Sequence, residues 1–224
     1  MVDKILRVLT ANVYNGRAAI GSLRRVLEHE QAAVVAFQEL DPAQARIVEQ
    51  LYPFGHLDPR RDHHGMGIAA RHPIAVDRFD MEHRDGWRGL MRAGDWPEIE
   101  RDVEVLNVHI QNPLMRPIRA TSRNRKGQVD GILKYIGAKR MSRVIVGDMN
   151  SSPAWRSYKR LAEHLQDAAV AAGTARATWS YFSWLPRMLR IDHAFIEGLV
   201  AVSTHTTKIR GSDHSALIAD LYAE

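Results

Sequence analysis

Acidic, amide and histidine side chains recur where apolar stretches of the sequence end. Asn12 follows an early apolar stretch, Glu39 follows a second, and His109 closes a third. Later in the chain, Asp148 and Asn150 follow another apolar stretch. Asp192 lies near the start of a further one, and the pair Asp213-His214 directly precedes the last. Carboxylates and amides are hard oxygen ligands that suit Mg²⁺ or Mn²⁺, and histidine can position a water or neutralise charge on a phosphoryl group. These residue types indicate metal-assisted phosphoryl chemistry.

Taken singly, each of these residues has an ordinary structural interpretation. Glu39 precedes a helix start, Asp148 and Asn150 suit a turn, and a lone histidine such as His109 is more often part of a core. Their repeated position at strand ends is poorly explained in that way. Ligands of open α/β sheets bind at strand ends, so we expect a shared end to gather these groups around one pocket.

Apolar patterning predicts the elements that must position these side chains. Strands are predicted at residues 6–10, 33–37, 67–71, 75–79, 87–93, 103–110, 144–146, 191–196, 200–206 and 215–221. Helices are predicted after Gly16, from Asp41-Pro42, through residues 129–136 and from Ser152-Pro153. Because helices come early, a meander lies in the middle and strands come late, we expect one layered α/β domain over residues 1–224, not a doubly wound one.

Composition excludes several classes of protein. The chain has no cysteine, which rules out disulfide frameworks, thiolate metal sites and thiol nucleophiles. It has neither a P-loop nor a GxGxxG turn, and it lacks the HExxH and GxSxG signatures. The first residues form no separate apolar region, and charges interrupt every apolar stretch, so we expect neither a signal peptide nor a membrane span. We therefore expect a cytoplasmic protein, and a monomer.

Positive charge is concentrated in one segment. The chain carries 31 Lys and Arg against 26 Asp and Glu, a net charge of +5, but residues 116–143 alone carry +8. Such a cluster favours a polyanionic partner, either nucleic acid or an anionic membrane, although a solvated helix face would have the same composition. Apolar residues within 129–136 occupy the inward face, which leaves the outer face to residues such as Arg123 and Lys126. Arg125 can join them or brace the site from below.

Taken in order, the motifs resemble those of the endonuclease/exonuclease/phosphatase superfamily, which includes deoxyribonucleases, AP endonucleases and neutral sphingomyelinases. The matching motifs span nearly the whole chain; they are Leu9-Thr10-Ala11-Asn12, Phe37-Gln38-Glu39, Gly65-Met66-Gly67-Ile68, Asn107-Val108-His109, Gly147-Asp148-Met149-Asn150, Arg190-Ile191-Asp192-His193 and Gly211-Ser212-Asp213-His214. The resemblance implies a four-layer αββα sandwich, in which two mainly antiparallel sheets pack face to face with helices outside. It also implies hydrolysis of phosphodiester bonds with Mg²⁺ or Mn²⁺ as the cofactor.

The resemblance further implies which residues hold the metal and activate the water. Glu39 would be the principal metal ligand, with Asn12 beside it. Asp213 would contact the metal or its water. Asp148 would orient or deprotonate the attacking water.

The remaining residues would act on the phosphate. The resemblance implies that Asn150 donates to a phosphate oxygen and that His214 faces the phosphate, supported by Asp192. His109 matches the histidine of the deoxyribonuclease and sphingomyelinase branches, whereas AP endonucleases have tyrosine there, which weakens an AP-specific assignment. A carboxylate hydrogen-bonded to imidazole raises the pKa of the ring and sets its tautomer, so a charged His214 could steady a phosphorane oxygen.

Four functions remain open, and they differ in substrate. Nucleic acid, with DNA before RNA, is favoured by Arg123, Arg125, Lys126 and Trp155, because cations track a phosphate backbone and aromatic rings stack on bases. A lipid or small-molecule phosphodiesterase that touches a membrane is favoured by the aromatic segment 179–189, although we expect that segment to pack in the core. The other two are a phosphomonoesterase and a non-catalytic binding module. We favour a nuclease, either an endonuclease or an exonuclease.

Overall fold

A computed structural model describes residues 4–223, in which twelve strands and five α-helices form the framework. The first half of the chain contains β1 (Ile5–Asn12), α1 (Ile20–Glu30), β2 (Val34–Gln38), α2 (Pro42–Leu51), β3 (Phe54–Asp58), β4 (Met66–Ala70), β5 (Ala75–Asp80), β6 (Asp85–Met91) and β7 (Val103–His109). The second half contains α3 (Ile118–Gly137), β8 (Ser142–Asp148), α4 (Arg156–Ala162), β9 (Gln166–Asp167), α5 (Ala168–Ala171), β10 (Asp192–Glu197), β11 (Val200–Lys208) and β12 (Ser215–Tyr222).

The strands form two sheets of six. Sheet 1 has the order β11-β12-β1-β2-β4-β3, and sheet 2 has the order β5-β6-β7-β8-β10-β9. One neighbouring pair in each sheet is parallel, β1 with β2 and β7 with β8, and the other pairs are antiparallel. Parallel neighbours end on the same side of a sheet. The predicted pair of mainly antiparallel sheets is confirmed.

Alternating side chains let each sheet pack against a layer on both faces. Val8 of β1 points between the two sheets, and its neighbour Leu9 points the other way, toward Leu23 of α1. On the outer face of sheet 2, Leu106 of β7 packs in one cluster with Ile132 of α3. The predicted order helix, sheet, sheet, helix follows from these three separate apolar clusters. Within residues 4–223, none of the helices is long and apolar enough to cross a bilayer.

Most predicted elements are confirmed. Local hydrogen bonds account both for a helix start that agrees with the prediction and for one that differs. α2 begins as predicted, because the Asp41 side chain accepts from the backbone N–H of Ala43 at 2.8 Å. The helix predicted from Ser152-Pro153 begins later, at Arg156, because the chain first makes a turn at that point. β3 and the two-residue β9 were not predicted. β3 is an edge strand with mostly exposed side chains, so it lacks the apolar pattern that would reveal it.

A buried polar pair ties the two sheets together beneath the ends of β2 and β7. Gln38 Nε2 donates to Asn107 Oδ1 at 2.6 Å, and the Asn107 amide donates to two main-chain carbonyls of sheet 1 at 2.9 Å each. Both side chains are fully buried, so their polar atoms require partners inside the protein. Glu39 and His109 follow these residues within two positions, and the pair therefore sets how they face each other.

A buried ion pair joins β7 to β8, and its arginine also fastens the C-terminal end of α3 to sheet 2. Arg143 Nε lies 3.2 Å from Glu104 Oε2, and the two side chains are 1% and 2% exposed. Arg143 Nη1 also donates to the carbonyl of Ile136 at 3.0 Å, in the last turn of α3, where carbonyls lack helical partners. Although Arg143 belongs to the basic segment 116–143, it is a structural residue and not a surface charge.

We expect Glu104→Gln to lower the free energy of unfolding by about 3–5 kcal/mol, because it removes the buried carboxylate shared by Arg143 and Arg88 and leaves the buried Arg143 with only Glu197, at 3.4 Å. Urea unfolding followed by circular dichroism measures the change. The control is Glu28→Gln, since Glu28 pairs with Arg24 on an exposed helix face at 3.4 Å. That control should change stability by less than about 1 kcal/mol. A Glu104→Gln protein as stable as the control would contradict a structural role for the buried pair.

Candidate active site

The residues singled out from the sequence meet at one edge of the sandwich, which we call the active-site edge. β7 ends at His109 and β8 ends at Asp148, and these two residues are register partners. β10 begins there with Asp192, directly opposite Asp148 on the antiparallel neighbour. From sheet 1, β1 ends with Asn12, and Glu39 follows β2. Two parallel strand pairs facing each other thus bring together residues that are far apart in the sequence.

The turn after β8 needs two special residues. Gly147 has a φ of 137°, and a Cβ at this position would lie 1.9 Å from the carbonyl oxygen of Val108. Asn150 has a φ of 46°, a left-handed conformation that asparagine tolerates better than most residues. The glycine and the asparagine of the Gly147-Asp148-Met149-Asn150 motif therefore shape the chain that carries Asp148.

The carboxylate of Asp148 lies at the centre of the site. Its Oδ2 accepts from the amides of Asn12 at 3.2 Å and Asn150 at 3.0 Å, and its Oδ1 accepts from the backbone N–H of Asn150 at 2.8 Å. Nε2 of His109 and Nε2 of His214 lie 3.5 Å and 3.8 Å from Oδ2. Burial raises the pKa of Asp148 to about 7, because the carboxylate has lost most of its water.

His214 forms a buried ion pair with Asp192. Its Nδ1 lies 2.8 Å and 3.1 Å from the two carboxylate oxygens of Asp192. Burial by itself lowers the pKa of His214, but the carboxylates of Asp192 and Asp148 outweigh burial and raise the pKa to about 10. The ring is therefore charged at neutral pH, and its Nε2 faces Asp148 and, at 4.0 Å, Asp213 Oδ1.

Arg84 is a residue of the site that the sequence analysis missed. Its Nη2 lies 3.1 Å from His109 Nδ1, and since a guanidinium can only donate, that ring nitrogen accepts. Burial first, and then the charge of Arg84, lower the pKa of His109 well below its usual range. The neutral ring thus carries its proton on Nε2, the atom that faces Asp148. Arg84 lies in the turn between β5 and β6, where no sequence motif marks it.

Glu39 lies beside this centre. Its Oε1 accepts from Asn12 Nδ2 at 3.1 Å and is 3.9 Å from His109 Nε2. Its backbone φ is 54°, an uncommon left-handed conformation for a glutamate, and such conformations are found often at functional sites. Burial raises the pKa of Glu39, and the nearby charge of Asp213 acts in the same direction. A bound cation would offset the repulsion between these two carboxylates.

Asp213 has an oxygen atom suited to a metal. Its Oδ1 is buried and has no hydrogen-bond donor within the part of the chain that the structure describes. The other oxygen accepts from Trp179 Nε1 at 3.1 Å. Buried polar atoms are almost always paired, so an unpaired carboxylate oxygen near Glu39 fits a ligand for a hard divalent cation.

A second set of side chains is close enough to hold a metal but is less suited to it. Ligand atoms of Asp148, Asp192 and His214 lie within 4.8 Å of one another. The charged His214 ring, however, carries protons on both nitrogens and has no lone pair to offer. This set is better described as a carboxylate, an imidazolium and its supporting carboxylate.

Two amides are placed differently from the roles that the resemblance implied. Asn12 turns its Nδ2 toward Glu39 and Asp148, and its Oδ1 accepts from a backbone N–H two residues further on at 2.9 Å. It therefore acts as a donor and not as an oxygen ligand. Asn150 uses its amide hydrogens on Asp148 and on a main-chain carbonyl just after β7 at 2.9 Å. It holds Asp148 in place, and no amide hydrogen is left for a phosphate oxygen.

Arg125 does not face outward, which corrects its prediction as a substrate contact. Its guanidinium is buried and donates to the carbonyl of Asn150 at 3.0 Å, to Ser151 Oγ at 2.9 Å and to the carbonyl of Gln111. It joins the loops that follow β7 and β8. Arg125 therefore braces the site from below, which was the second of the two alternatives that the sequence left open.

The other three predicted substrate contacts lie on the surface. Lys126 pairs with Asp130 at 2.9 Å, so its charge is partly neutralised. Arg123 is exposed on the same helix, and Trp155 is 40% exposed at the start of α4. Of the four predicted contacts, Arg125 is therefore buried, Lys126 is exposed but paired, and Arg123 and Trp155 are exposed.

The aromatic segment 179–189 is not part of the core, and the prediction that it packs there is wrong. Tyr181, Phe182, Trp184 and Met188 are 65%, 49%, 72% and 60% exposed. Apolar content alone therefore does not indicate burial in this segment. The segment instead lies outside the two sheets, just before β10 at the active-site edge.

Comparison with known proteins agrees with the fold and the order of the motifs. The family described as "Endonuclease/Exonuclease/phosphatase family" matches residues 9–214. No curated protein matched the chain.

Solved structures share the fold at low sequence identity. An endonuclease/exonuclease/phosphatase from Beutenbergia cavernae is 21% identical, with a TM-score of 0.76 over 98% of this chain and 72% of that one. A protein of the same description from Bacteroides vulgatus is 16% identical, with a TM-score of 0.77 over 98% and 99%. D. rerio TDP2, humanized by 14 mutations, is 16% identical, with a TM-score of 0.77 over 98% and 100%.

We expect Arg125→Met to lower the free energy of unfolding by about 1–3 kcal/mol, because it removes the donor shared by buried acceptors of two loops. Arg123→Met is the matched control, two positions away on the same helix but exposed, and should change stability by less than about 0.5 kcal/mol. Urea unfolding of both variants tests this. Equal stability of the two would mean that the contacts of Arg125 do not brace the site.

Proposed function

Because the chain belongs to the endonuclease/exonuclease/phosphatase family, we propose that it hydrolyses phosphodiester bonds with the help of a divalent cation. The observation that carries the proposal is the buried Asp148 carboxylate set between the neutral His109 ring and the charged His214 ring, at 3.5 Å and 3.8 Å. A base and a cation so close together suit the attack of water on a phosphorus atom.

In the proposed reaction Asp148 orients the attacking water and takes its proton. Its raised pKa, about 7, makes it a stronger base than an exposed aspartate while leaving a large ionised fraction near neutral pH. Asn12 and Asn150 hold the carboxylate by hydrogen bonds to Oδ2. His214 steadies the negative charge that grows on a phosphoryl oxygen, and Asp192 keeps that ring charged and oriented.

Glu39 and Asp213 would hold the cation, since Asp213 Oδ1 is a buried carboxylate oxygen without a donor among the described residues and lies at the same site as Glu39. A bound Mg²⁺ or Mn²⁺ would polarise a phosphoryl oxygen and offset charge there. Arg84 and His109 complete the proposed phosphate pocket. Arg84 orients the His109 ring, and its buried guanidinium adds positive charge where the phosphate would lie.

Two substrate classes fit this site. Nucleic acid stays a prediction, and it now rests mainly on Arg123 and Trp155, because Arg125 is buried and Lys126 is paired with Asp130. A phospholipid diester is favoured by one specific observation, the exposure of the aromatic segment 179–189 beside the site. A parallel assay with plasmid DNA, RNA, phospholipid vesicles and a soluble aryl phosphodiester would separate the two classes.

We expect Asp148→Asn and His214→Gln each to lower kcat on a soluble aryl phosphodiester by about 100-fold or more. Asp192→Asn should lower it less, because it weakens the charge on His214 without removing the ring. Circular dichroism and urea unfolding of each variant establish that the loss is not a loss of fold. Wild-type turnover by a folded Asp148→Asn protein would remove Asp148 from the reaction.

The cation is tested by calorimetry and by activity. We expect EDTA to abolish turnover and added Mg²⁺ or Mn²⁺ to restore it. Glu39→Gln should weaken Mn²⁺ binding by at least about tenfold in isothermal titration calorimetry, since it removes a charged ligand. Glu28→Gln, on the exposed face of α1, is the control and should bind Mn²⁺ like wild type. Full turnover in EDTA would rule out the metal and leave only the acid–base part of the proposal.

A further inference from the structure

The loop between β7 and α3, with the first turn of α3, exposes apolar side chains among arginines. Leu114 is 78% exposed and Ile118 is 64% exposed. Arg116 and Arg119, which alternate with them, are also exposed. Apolar groups in water are unfavourable in proportion to their area, so several of them on one short stretch indicate a surface that becomes covered.

The second exposed apolar stretch is the segment before β10. Phe182 and Trp184 stack on each other with ring centroids 5.7 Å apart and an interplanar angle of 14°. Tyr181 packs edge-on against Phe182 at 4.8 Å. Three aromatic rings that contact mainly one another form an apolar tip outside the core.

Arg187 anchors this tip to the active site. Its guanidinium donates to the carbonyls of Ser212 and His214 at 2.9 Å each, and to the hydroxyls of Ser180 at 2.8 Å and Ser215 at 3.0 Å. The segment is thus held against the chain that carries His214, and its aromatic rings are directed away from it. Because Arg187 is turned inward, its charge is not presented to the outside with the rings.

The two stretches flank the same site. The first follows the end of β7 and the second precedes the start of β10, and both points lie at the active-site edge. β8 alone separates these strands in sheet 2, so the end of β7 and the start of β10 lie about 10 Å apart. Together they form what we call the apolar rim, made of Leu114, Ile118, Tyr181, Phe182, Trp184 and Met188.

We propose that the apolar rim docks the active-site edge onto an anionic phospholipid surface. The proposal rests on the proposed hydrolysis of phosphodiesters and names a phospholipid as its substrate class. Aromatic and aliphatic side chains enter the interfacial region of a bilayer, while arginines beside them attract anionic head groups. Arg116 and Arg119 provide that charge next to Leu114 and Ile118.

The composition of the rim favours a lipid surface over a nucleic acid. Leu114, Ile118 and Met188 have no aromatic face on which a base could stack. Near the aromatic tip, Arg187 is engaged by carbonyls and hydroxyls and Arg190 by Asp167 at 2.6 Å, whereas Arg176 is exposed. The aliphatic side chains of the rim therefore fit the apolar region of a lipid surface better than they fit nucleotide bases.

The test is vesicle binding by the full chain, measured by co-sedimentation in EDTA so that it does not depend on turnover. Vesicles of phosphatidylcholine with phosphatidylglycerol are compared with vesicles of phosphatidylcholine alone. The variant Phe182→Ser/Trp184→Ser is compared with Val200→Ser/Val202→Ser. The two valines are about 50% exposed and lie on β11, paired with the far end of β12. Thermal unfolding establishes that both variants are folded.

We expect the wild type to bind the anionic vesicles more tightly than the neutral ones. Phe182→Ser/Trp184→Ser should weaken that binding by at least about tenfold, and the valine variant should bind like wild type. Equal binding by the two variants, or no binding by the wild type, would overturn the proposal. So would a loss of single-stranded DNA affinity in the aromatic variant without a loss of vesicle binding. A failure of hydrolysis in the preceding assays leaves this result unaffected.

Discussion

The burial of the Asp148 carboxylate constrains the rest of the active-site edge. A carboxylate removed from water is unfavourable unless donors and positive charge surround it. Here the neighbouring nitrogen atoms come from Asn12 at the end of β1, His109 at the end of β7, Asn150 after β8 and His214 before β12. No single element could provide this surrounding, so the site forms only when both sheets have paired and packed.

The same dependence links the site to the interior of the sandwich. Gln38 and Asn107 hydrogen-bond across the two sheets, directly beneath Glu39 and His109. A shift of either strand by one residue would turn these amides out of the interface and leave buried polar groups without partners. The register that satisfies the interior is thus also the register that places Glu39 and His109 at the active-site edge. The stability of the interior and the geometry of the candidate site therefore depend on the same strand register.

The surface around the site departs from what residue type alone suggests. Arginine has a long apolar stem and five donors, and so can be buried where several carbonyls face it. Arg125 and Arg143 do this, beneath loops and at the end of a helix, and the half-buried Arg187 turns its donors inward in the same way. Because Arg125 and Arg143 are buried, the basic segment 116–143 presents less positive charge at the surface than its sequence suggests. Conversely, Trp184 is exposed because it lies on a short stretch outside the sheets, where no layer covers it.

The sequence by itself determined the order and type of most elements, the four-layer arrangement and the polar residues at the strand ends. Those features follow from local apolar periodicity, from capping residues such as Asp41 and from a motif order that spans the chain. Tertiary structure decided which side chains touch. It placed Arg84 against His109 and Arg125 beneath Asn150, and it turned the amide of Asn12 into a donor. Contacts between residues far apart in the chain leave no periodic signal, since they depend on how separate elements pack. For that reason the sequence indicated the centre of the site but not its supports or its rim.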